Sequence, residues 1–431
     1  MRKQGTAHTN GWTWVPTLYF AEGLPYVAVV TLSVIMYKRM GLGNAEIAFY
    51  TSWLYLPWVL KPLWSPFVDL MKTKRLWIVA MQTLLAAAFA GVAFFIPTDM
   101  YVRATLACFW LMAFSSATHD IAADGFYLLA LDSGQQSFFV GIRNTFYRLA
   151  NIFGQGLLVM LAGWMEQWQG RVAMAWSLTF YALAALFIAL TLYHRFLLPH
   201  PPADKPQTAQ TASQIGREFL LTFVSFFRKP HTALMLFFLL TYRLGEAQLA
   251  KLTTPFLLDV REVGGLGMET ATVGMVYGTL GVVALVVGGI VGGVLVSRHG
   301  FRHWFIPMAI AINVPDLLYV YLAATQPESV WMVASCVVIE QFGYGFGFTA
   351  YTLCLILMAE GERKTAHYAI GTGIMALGMM LPGLFAGAMQ EWLGYTAFFT
   401  WVCACTLVGI AASVLLCRKV DPEFGKMKNG K

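Results

Sequence analysis

The sequence predicts an all-α integral membrane protein with twelve transmembrane helices in two six-helix bundles. Of its 431 residues, 58% are hydrophobic and only 12% are charged, about half the charged share of a soluble domain. Five runs of 23 to 28 residues contain no charge, and each is long enough to cross a hydrocarbon core about 30 Å thick. The chain also repeats itself at a spacing of 224 residues. This composition excludes a soluble enzyme, a nucleic-acid-binding domain and a disordered scaffold.

Twelve apolar segments follow one another along the chain, and we number them spans 1 to 12. They lie at about 12–37, 45–70, 76–96, 104–130, 138–165, 172–194, 231–258, 270–297, 303–325, 330–358, 366–389 and 396–417. One long hydrophilic insert, with Pro201, Pro202 and Pro206, separates spans 6 and 7 and is typical of a linker. We therefore predict an N-terminal bundle at 1–196, a cytoplasmic linker at 197–229 and a C-terminal bundle with a short tail at 230–431.

The distribution of Lys and Arg among the loops predicts the orientation. With the N-terminus inside, the cytoplasmic segments hold 19 basic residues and the outer loops hold five. This asymmetry places both termini in the cytoplasm and explains the net charge of +7 by topology rather than by a nucleic-acid partner. Span 1 follows Arg2 and Lys3 without an Ala-x-Ala cleavage site, so we expect it to stay as an uncleaved anchor.

The repeat relates the two halves at three places. A shift of 224 residues lays Glu22 on Glu246, Lys74 on Arg298, and the segment Gly163–Gly170 on Gly387–Gly394. Six helices per half preserve orientation, so the repeat is parallel, about an axis along the membrane normal, as in major-facilitator transporters. The basic loops after the second helix of each half are candidate gating loops, with Asp69, Lys74, Arg75 and Arg298.

Energy coupling by nucleotide hydrolysis is not expected. The phosphate-binding pattern Gly-x-x-x-x-Gly-Lys-Ser/Thr is missing from the sequence, in which Gly-Lys occurs only at Gly425-Lys426. The six cysteines all lie inside apolar runs and form no Cys-x-x-Cys pair, so we expect them to pack as small hydrophobic residues. We predict no enzyme activity, no metal and no cofactor.

Glycines cluster on spans 5, 8 and 11, where they allow helices to approach closely.

The chemistry must then rest on charges inside the spans. A charge at a helix centre costs about 2.5–3.5 kcal/mol on the insertion scale, so these side chains must pair with one another or line water. The set comprises Glu22, Lys61, Asp120, Asp124, Arg143, Arg148, Arg243, Glu246, Lys251, Asp316 and Glu340.

Spans 4 and 5 are predicted to face each other through two such pairs. Asp120 and Arg148 are equidistant from the turn near Gly134, and Asp124 and Arg143 are nearly so. These pairs could form a structural ladder or one wall of a polar cavity. Span 5 also presents one polar face at helical spacing, formed by Asn144, Arg148, Asn151 and Gln155.

Other polar faces lie on spans 1, 7 and 10. In span 1, Tyr19, Glu22 and Tyr26 share a face beside Pro25, which should loosen the helix. Span 7 carries Arg243, Glu246 and Lys251, and span 10 carries Glu340 and Tyr344. A carboxylic acid in an apolar wall takes up a proton more readily than in water. The candidates for proton coupling are Glu22, Glu246, Asp120, Asp124 and Glu340, with the two glutamates related by the repeat as the leading carriers.

One motif favours a different class of protein. The segment from His119 to Asp124 matches the His-x4-Asp pattern of glycerolipid acyltransferases. Five residues along a helix turn the two side chains about 140° apart, and the segment lies well inside a span, so we do not favour this reading.

Several stretches together resemble the AmpG-type muropeptide permeases, a branch of the major facilitator superfamily that also includes acetyl-coenzyme A transporters. The resemblance spans nearly the whole chain, although the family pattern often has Ser at Glu22, Gln at His119 and a small residue at Lys251. The matching stretches are Ala21–Pro25, Lys61–Asp69, Ser116–Asp124, Tyr147–Leu149, Leu244–Ala247, Leu252–Thr254 and Glu340 with Gly343–Gly347.

The resemblance implies a major-facilitator fold in the bacterial inner membrane and proton-driven import of N-acetylglucosaminyl-anhydro-N-acetylmuramic acid, with or without peptide. Arg148, Arg243 and Lys251 would suit its carboxylates, and tyrosine rings its sugar faces. An anionic siderophore or an acyl-coenzyme A stays an alternative substrate. The candidate substrate-binding residues are Arg148, Arg243, Lys251, Tyr19, Tyr26, Asn144, Asn151, Gln155, His119 and Tyr344.

Overall fold

The computed structural model describes residues 10–131, 133–202, 204–205, 212–359, 364–422 and 424, and in this part of the chain the regular structure is helical throughout. Large apolar side chains are exposed on the outer faces of the helices, among them Phe94, Ile290, Phe385 and Leu407. A protein that folds in water would bury such residues, whereas a bilayer solvates them. The protein is therefore a multi-pass membrane protein.

Nine helices in the described residues are long and apolar enough to cross a membrane, and they coincide with nine of the predicted spans. The other three predicted spans also form helices, at Asn44–Trp53 and Leu56–Met71 (span 2), Tyr101–Ala130 (span 4), and Ser133–Ile152 with Val159–Gln169 (span 5). This arrangement is consistent with twelve transmembrane helices. The nine are Gly11–Arg39, Lys74–Phe95, Val172–Leu197, Thr232–Leu258, Thr270–His299, Phe301–Thr325, Val330–Ala359, His367–Leu393 and Tyr395–Cys417.

Several spans depart from the regular α-helix. π-Helical turns occur at Ala28–Leu32 in span 1, Phe153–Leu158 in span 5 and Gly274–Gly281 in span 8. The first follows Pro25, the residue expected to loosen span 1, because a proline removes one rung of the helical hydrogen-bond ladder. In span 9, Pro315 lies in a 3-10 turn, Val314–Asp316, between the helices Phe301–Asn313 and Leu317–Thr325.

The linker contains a helix that we did not predict. It runs from Ala212 to Phe227, and Phe226 is fully buried in an apolar cluster with Phe238 and Tyr351. The sequence analysis assigned the whole insert to a linker because its first part is rich in Pro and Gln, and so it did not predict the helix that follows. Phe223 packs partly against the same cluster, whereas Leu220, Leu221, Val224 and Phe227 are exposed, as in helices that lie at a membrane surface.

By contacts, the chain forms two compact units that are each assembled from separate pieces. The first contains residues 1–27, 63–153 and 177–209, and its core includes Trp14, Leu18 and Phe126. The second contains residues 28–62, 154–176 and 210–431. The division into bundles at 1–196 and 230–431 stays a prediction.

In the repeated segments Gly163–Gly170 and Gly387–Gly394, the same structural requirements explain the glycine at each end. Gly170 and Gly394 follow the ends of helices with φ of +64° and +76°, a conformation that side chains disfavour. At the other end of each segment, a methyl group on Gly163 would lie 2.3 Å from the Ala271 nitrogen, and one on Gly387 would lie 2.0 Å from the Asn44 oxygen. Span 5 thus touches the start of span 8, and span 11 the start of span 2, backbone to backbone, as the predicted small-residue packing requires.

Candidate functional site

Spans 1, 4 and 5 bring an arginine, an aspartate and two tyrosines together. Arg143 Nη2 lies 3.1 Å from Asp124 Oδ1, so the predicted pair forms. The Tyr19 hydroxyl donates to the same oxygen at 3.1 Å, and the guanidinium lies over the rings of Tyr19 and Tyr127, 4.5 and 5.2 Å from their centroids. Stacking on two rings leaves the arginine's remaining N–H groups for another anion. The companion pairing of Asp120 with Arg148 stays a prediction.

The rest of the predicted N-terminal site lies along the same helices. Glu22 is buried, and Tyr26 is partly buried one turn further along span 1. On span 5, Asn144 and Arg148 are exposed, whereas Asn151 and Gln155 are partly buried. Gly23 fixes the contact of span 1 with span 5, because a methyl group there would lie 2.9 Å from the Tyr147 oxygen.

His119 lies in a buried polar chain rather than beside the arginine. Its Nε2 is 3.0 Å from Gln82 Nε2, and His194 Nδ1 is 2.9 Å from Gln82 Oε1. This series of polar contacts continues from His194 Nε2 to Thr17 Oγ1 at 3.0 Å and so connects spans 4, 3, 6 and 1. His119 and Asp124 therefore engage different partners, which does not favour the acyltransferase pattern.

Span 7 places Arg243 against span 10. The guanidinium donates to the Tyr344 hydroxyl and lies 5.1 Å from the ring centroids of both Tyr344 and Phe348 and 5.9 Å from that of Tyr351. Two of the predicted binding residues, Arg243 and Tyr344, are thus in contact. Each sequence half now contains an arginine held over aromatic rings, although the two arginines come from non-equivalent helices.

Three buried carboxylic acids lie on spans 7, 9 and 10, and the charge of Arg243 acts on the first of them, Glu246. Glu246, Asp316 and Glu340 are only 3%, 1% and 1% exposed. Glu340 accepts hydrogen bonds from the Tyr319 hydroxyl at 3.2 Å and from Gln341 Nε2 at 3.0 Å. Two of the three, Glu246 and Glu340, were predicted as proton carriers; Asp316 was counted as a buried charge but was given no role.

Lys251 is buried one and a half turns beyond Glu246. Its ammonium group donates to Thr51 Oγ1 at 3.0 Å and lies 5.0 Å from the ring centroid of Tyr55. Thr51 and Tyr55 belong to span 2, so this cation is shared by spans 2 and 7. A lysine with one neutral oxygen and an aromatic face for partners is able to attract an anionic ligand.

On the side predicted to be periplasmic, two networks contain basic residues that the sequence analysis treated only as loop charges. Lys38 Nζ lies 2.6 Å from Asp259 Oδ1, and Asp259 Oδ2 accepts from the Tyr395 hydroxyl at 2.6 Å. The Asn44 amide nitrogen lies 3.2 Å from the same Asp259 oxygen and 2.6 Å from Gln390 Oε1.

The second network is centred on Glu166. Arg39 Nη2 lies 3.0 Å from Glu166 Oε2, the indole of Trp176 donates to Oε1 at 2.7 Å, and Thr270 Oγ1 donates to Oε2 at 2.8 Å. The carboxylate thus joins the ends of spans 1, 5, 6 and 8. Sequence spacing gave no signal for either network, because the partners are brought together only by the tertiary fold.

The predicted gating loop of the first half is tied to the linker. Asp204 Oδ1 accepts from the Lys74 amide at 2.7 Å and Oδ2 from the Arg75 amide at 3.1 Å, so this side chain caps the start of span 3. The Arg75 guanidinium donates to the carbonyl oxygens of Leu198 and Arg195. Arg298, the counterpart in the second half, is exposed, and the side chain of Asp69 lies outside the described residues.

Comparison with known proteins agrees with this architecture. The family model described as Major Facilitator Superfamily matches residues 17–355. The anhydromuropeptide permease of Escherichia coli strain K12 is 28% identical over 411 residues, which are 93% of this chain and 78% of the permease.

Two solved structures show the same fold at low sequence identity. The nucleoside transporter NupG superposes with a TM-score of 0.70 at 17% identity and covers 94% of this chain and 98% of its own. The inward-open xylose transporter XylE from E. coli superposes with a TM-score of 0.68 at 13% identity. The match covers 98% of this chain and 97% of XylE.

Proposed function

Because the chain belongs to the Major Facilitator Superfamily, we propose that it imports anhydromuropeptides, N-acetylglucosaminyl-anhydro-N-acetylmuramic acid with or without its peptide, together with protons. The observation that carries this proposal is its similarity, along nearly the whole chain, to a protein named anhydromuropeptide permease. Transport would run from the periplasm to the cytoplasm across the inner membrane.

The chemistry of the substrate fits the residues in the candidate site. A muropeptide offers sugar faces, amide groups and carboxylates. A partly buried tyrosine ring such as that of Tyr26 suits a sugar face, and Arg148, Arg243 and Lys251 suit carboxylates. Buried carboxylic acids on both sequence halves, with Glu22 and Glu246 at equivalent positions, provide groups that can carry protons.

Uptake of labelled substrate into proteoliposomes tests the proposal. We expect concentrative uptake when the outside is acidic, and its loss when an ionophore collapses the proton gradient. Unlabelled anionic siderophore or acyl-coenzyme A in excess should leave the uptake unchanged. Uptake that ignores the proton gradient would contradict the coupling, and competition by one of the alternative anions would contradict the substrate assignment.

A variant of Lys251 tests the carboxylate-binding role. Lys251→Gln keeps a polar group of similar length but removes the charge, so it should raise KM for a substrate with free carboxylates more than it lowers kcat. The exposed Lys419 offers a matched control, since Lys419→Gln removes a charge that lies just after the end of span 12 rather than inside a span. Equal kinetics for the parent and Lys251→Gln would exclude a contact between Lys251 and the substrate.

A further inference from the structure

Asp316 is a buried acid whose carboxyl group has no hydrogen-bond partner in the described part of the chain. It ends the 3-10 turn Val314–Asp316 in the middle of span 9, and neither carboxyl oxygen has a hydrogen-bond donor among the described residues. An ionised carboxylate in that condition loses its hydration without compensation, which is far more costly than burying the neutral acid. The surroundings of Asp316 therefore favour the protonated form.

The side chain of Asp316 faces span 7, where a second acid lies. A methyl group on Gly245 would lie 3.3 Å from Asp316 Oδ2, and Glu246 is the next residue. Glu246 Oε2 likewise has no hydrogen-bond donor among the described residues. Glu246 is within electrostatic reach of both Asp316 and Glu340, and Asp316 is within electrostatic reach of Glu340, so negative charges on these acids would repel one another.

The third acid, Glu340, has different surroundings. It accepts hydrogen bonds from Tyr319 and Gln341, which can stabilise a carboxylate. The other titratable groups facing the three acids are Tyr277 of span 8, within electrostatic reach of Glu246 and Glu340, and Cys403 of span 12, within reach of Asp316. Both are neutral side chains in their ordinary protonation state, so they do not compensate a negative charge.

The cluster contains more acids than cations. Arg243 is the cation whose charge acts on Glu246, and in the described part of the chain the three carboxyl groups take part in no ion pair. If all three acids were ionised, one arginine would leave a net charge of −2 in a closed apolar interior. Two bound protons make the cluster neutral. Among the described residues no group of three or more His, Cys, Asp and Glu side chains could hold a metal ion, and a proton is the cation that neutralises a buried carboxyl group without further ligands.

We propose that Asp316, Glu246 and Glu340 form the proton site of this transporter and hold two protons in the present conformation, one of them on Asp316. This inference rests on the proposed proton-coupled transport and names its site. Release of the protons requires a conformation that admits water to the cluster. The 3-10 turn at Pro315 places Asp316 at a break in span 9, where such a rearrangement needs the fewest broken helical hydrogen bonds.

Infrared spectroscopy of the purified protein tests the proton occupancy without any substrate. A protonated carboxyl group has a carbonyl stretch separate from the amide bands. We expect this band in the parent protein at neutral pH, a loss of intensity in Asp316→Asn, and no loss in Asp99→Asn, whose side chain is exposed in the loop before span 4. A parent protein without the band would overturn the proposal, and this outcome requires no variant to fold.

Transport measurements test the coupling. Asp316→Asn should abolish accumulation driven by a proton gradient while retaining exchange of labelled for unlabelled substrate, because Asn imitates the protonated acid. Accumulation equal to that of the parent, or accumulation driven by a sodium gradient in the parent, would overturn the proton site. A parent protein that takes up no muropeptide would contradict the proposed function while leaving the infrared result intact, so the two failures are distinguishable.

Discussion

Lys38 and Asp259 form an ion pair of 2.6 Å between the end of span 1 and the end of span 7, two positions separated by 221 residues of chain. Their side chains are only 13% and 16% exposed, and Asp259 also accepts hydrogen bonds from Asn44 and Tyr395. A carboxylate with three donors and little solvent stabilises the segment that surrounds it. In the predicted topology, this pair fastens the periplasmic ends of spans 1, 2, 7 and 12.

Removing one partner of this pair should destabilise the protein. Lys38→Ala leaves Asp259 with two neutral donors, and we expect the free energy of unfolding to fall by about 1–3 kcal/mol. The exchanged double variant Lys38→Asp with Asp259→Lys should recover part of the loss. Thermal unfolding in detergent measures both effects, with Lys419→Ala as the control for a basic residue that is exposed. No recovery in the exchanged variant would mean that the hydrogen bonds, rather than the charges, matter.

Gly387 should tolerate no side chain. A methyl group there would lie 2.0 Å from the Asn44 oxygen, so Gly387→Ala must push span 11 away from span 2 and should lower the melting temperature. Gly293 in span 8 has nothing within 4 Å of the corresponding position, and Gly293→Ala should be neutral or stabilise by up to about 1 kcal/mol through helix propensity. Equal melting temperatures for the two variants would contradict the close contact at Gly387.

Arg143→Lys should not be a conservative change. Lysine keeps the charge but loses the planar group that stacks on Tyr19 and Tyr127 while contacting Asp124. We expect weaker substrate binding by about tenfold, a loss of about 1.4 kcal/mol. Tyr19→Phe, which removes only the hydroxyl that donates to Asp124, should have a smaller effect. Binding measured by isothermal titration decides between them, and a larger loss in Tyr19→Phe would refute the order.

The predicted orientation can be tested by labelling from one side. Tags in Lys38–Gly43 should react with an impermeant reagent from the periplasm, and tags in Gln207–Ser213, most of which lies outside the described residues, should not. The physical basis is the excess of basic residues in the loops assigned to the cytoplasm. Periplasmic labelling of the second stretch would invert the topology.

The sequence predicted the positions of the spans and the Asp124–Arg143 pair because both depend on local periodicity. Antiparallel neighbours joined by a short turn place residues equidistant from the turn at one depth, which brought these two together. The contacts of Lys38 with Asp259 and of Asp316 with span 7 depend on spans far apart in sequence, and no spacing reveals them. The linker helix Ala212–Phe227 was missed because a polar neighbourhood masked its apolar face.

The π-helical turns Ala28–Leu32 and Phe153–Leu158 stand at the two places where spans 1 and 5 pass from one compact unit into the other. The chain thus passes between these units at interior points of helices as well as in loops, and the 224-residue repeat in the sequence does not predict these points. Cleavage of the polypeptide between spans 6 and 7 would leave spans 1 and 5, with their π-helical turns, intact. A substitution that converts either π turn to a regular α-helix would instead change the chain where it passes between the units, and π turns are often found at functional positions.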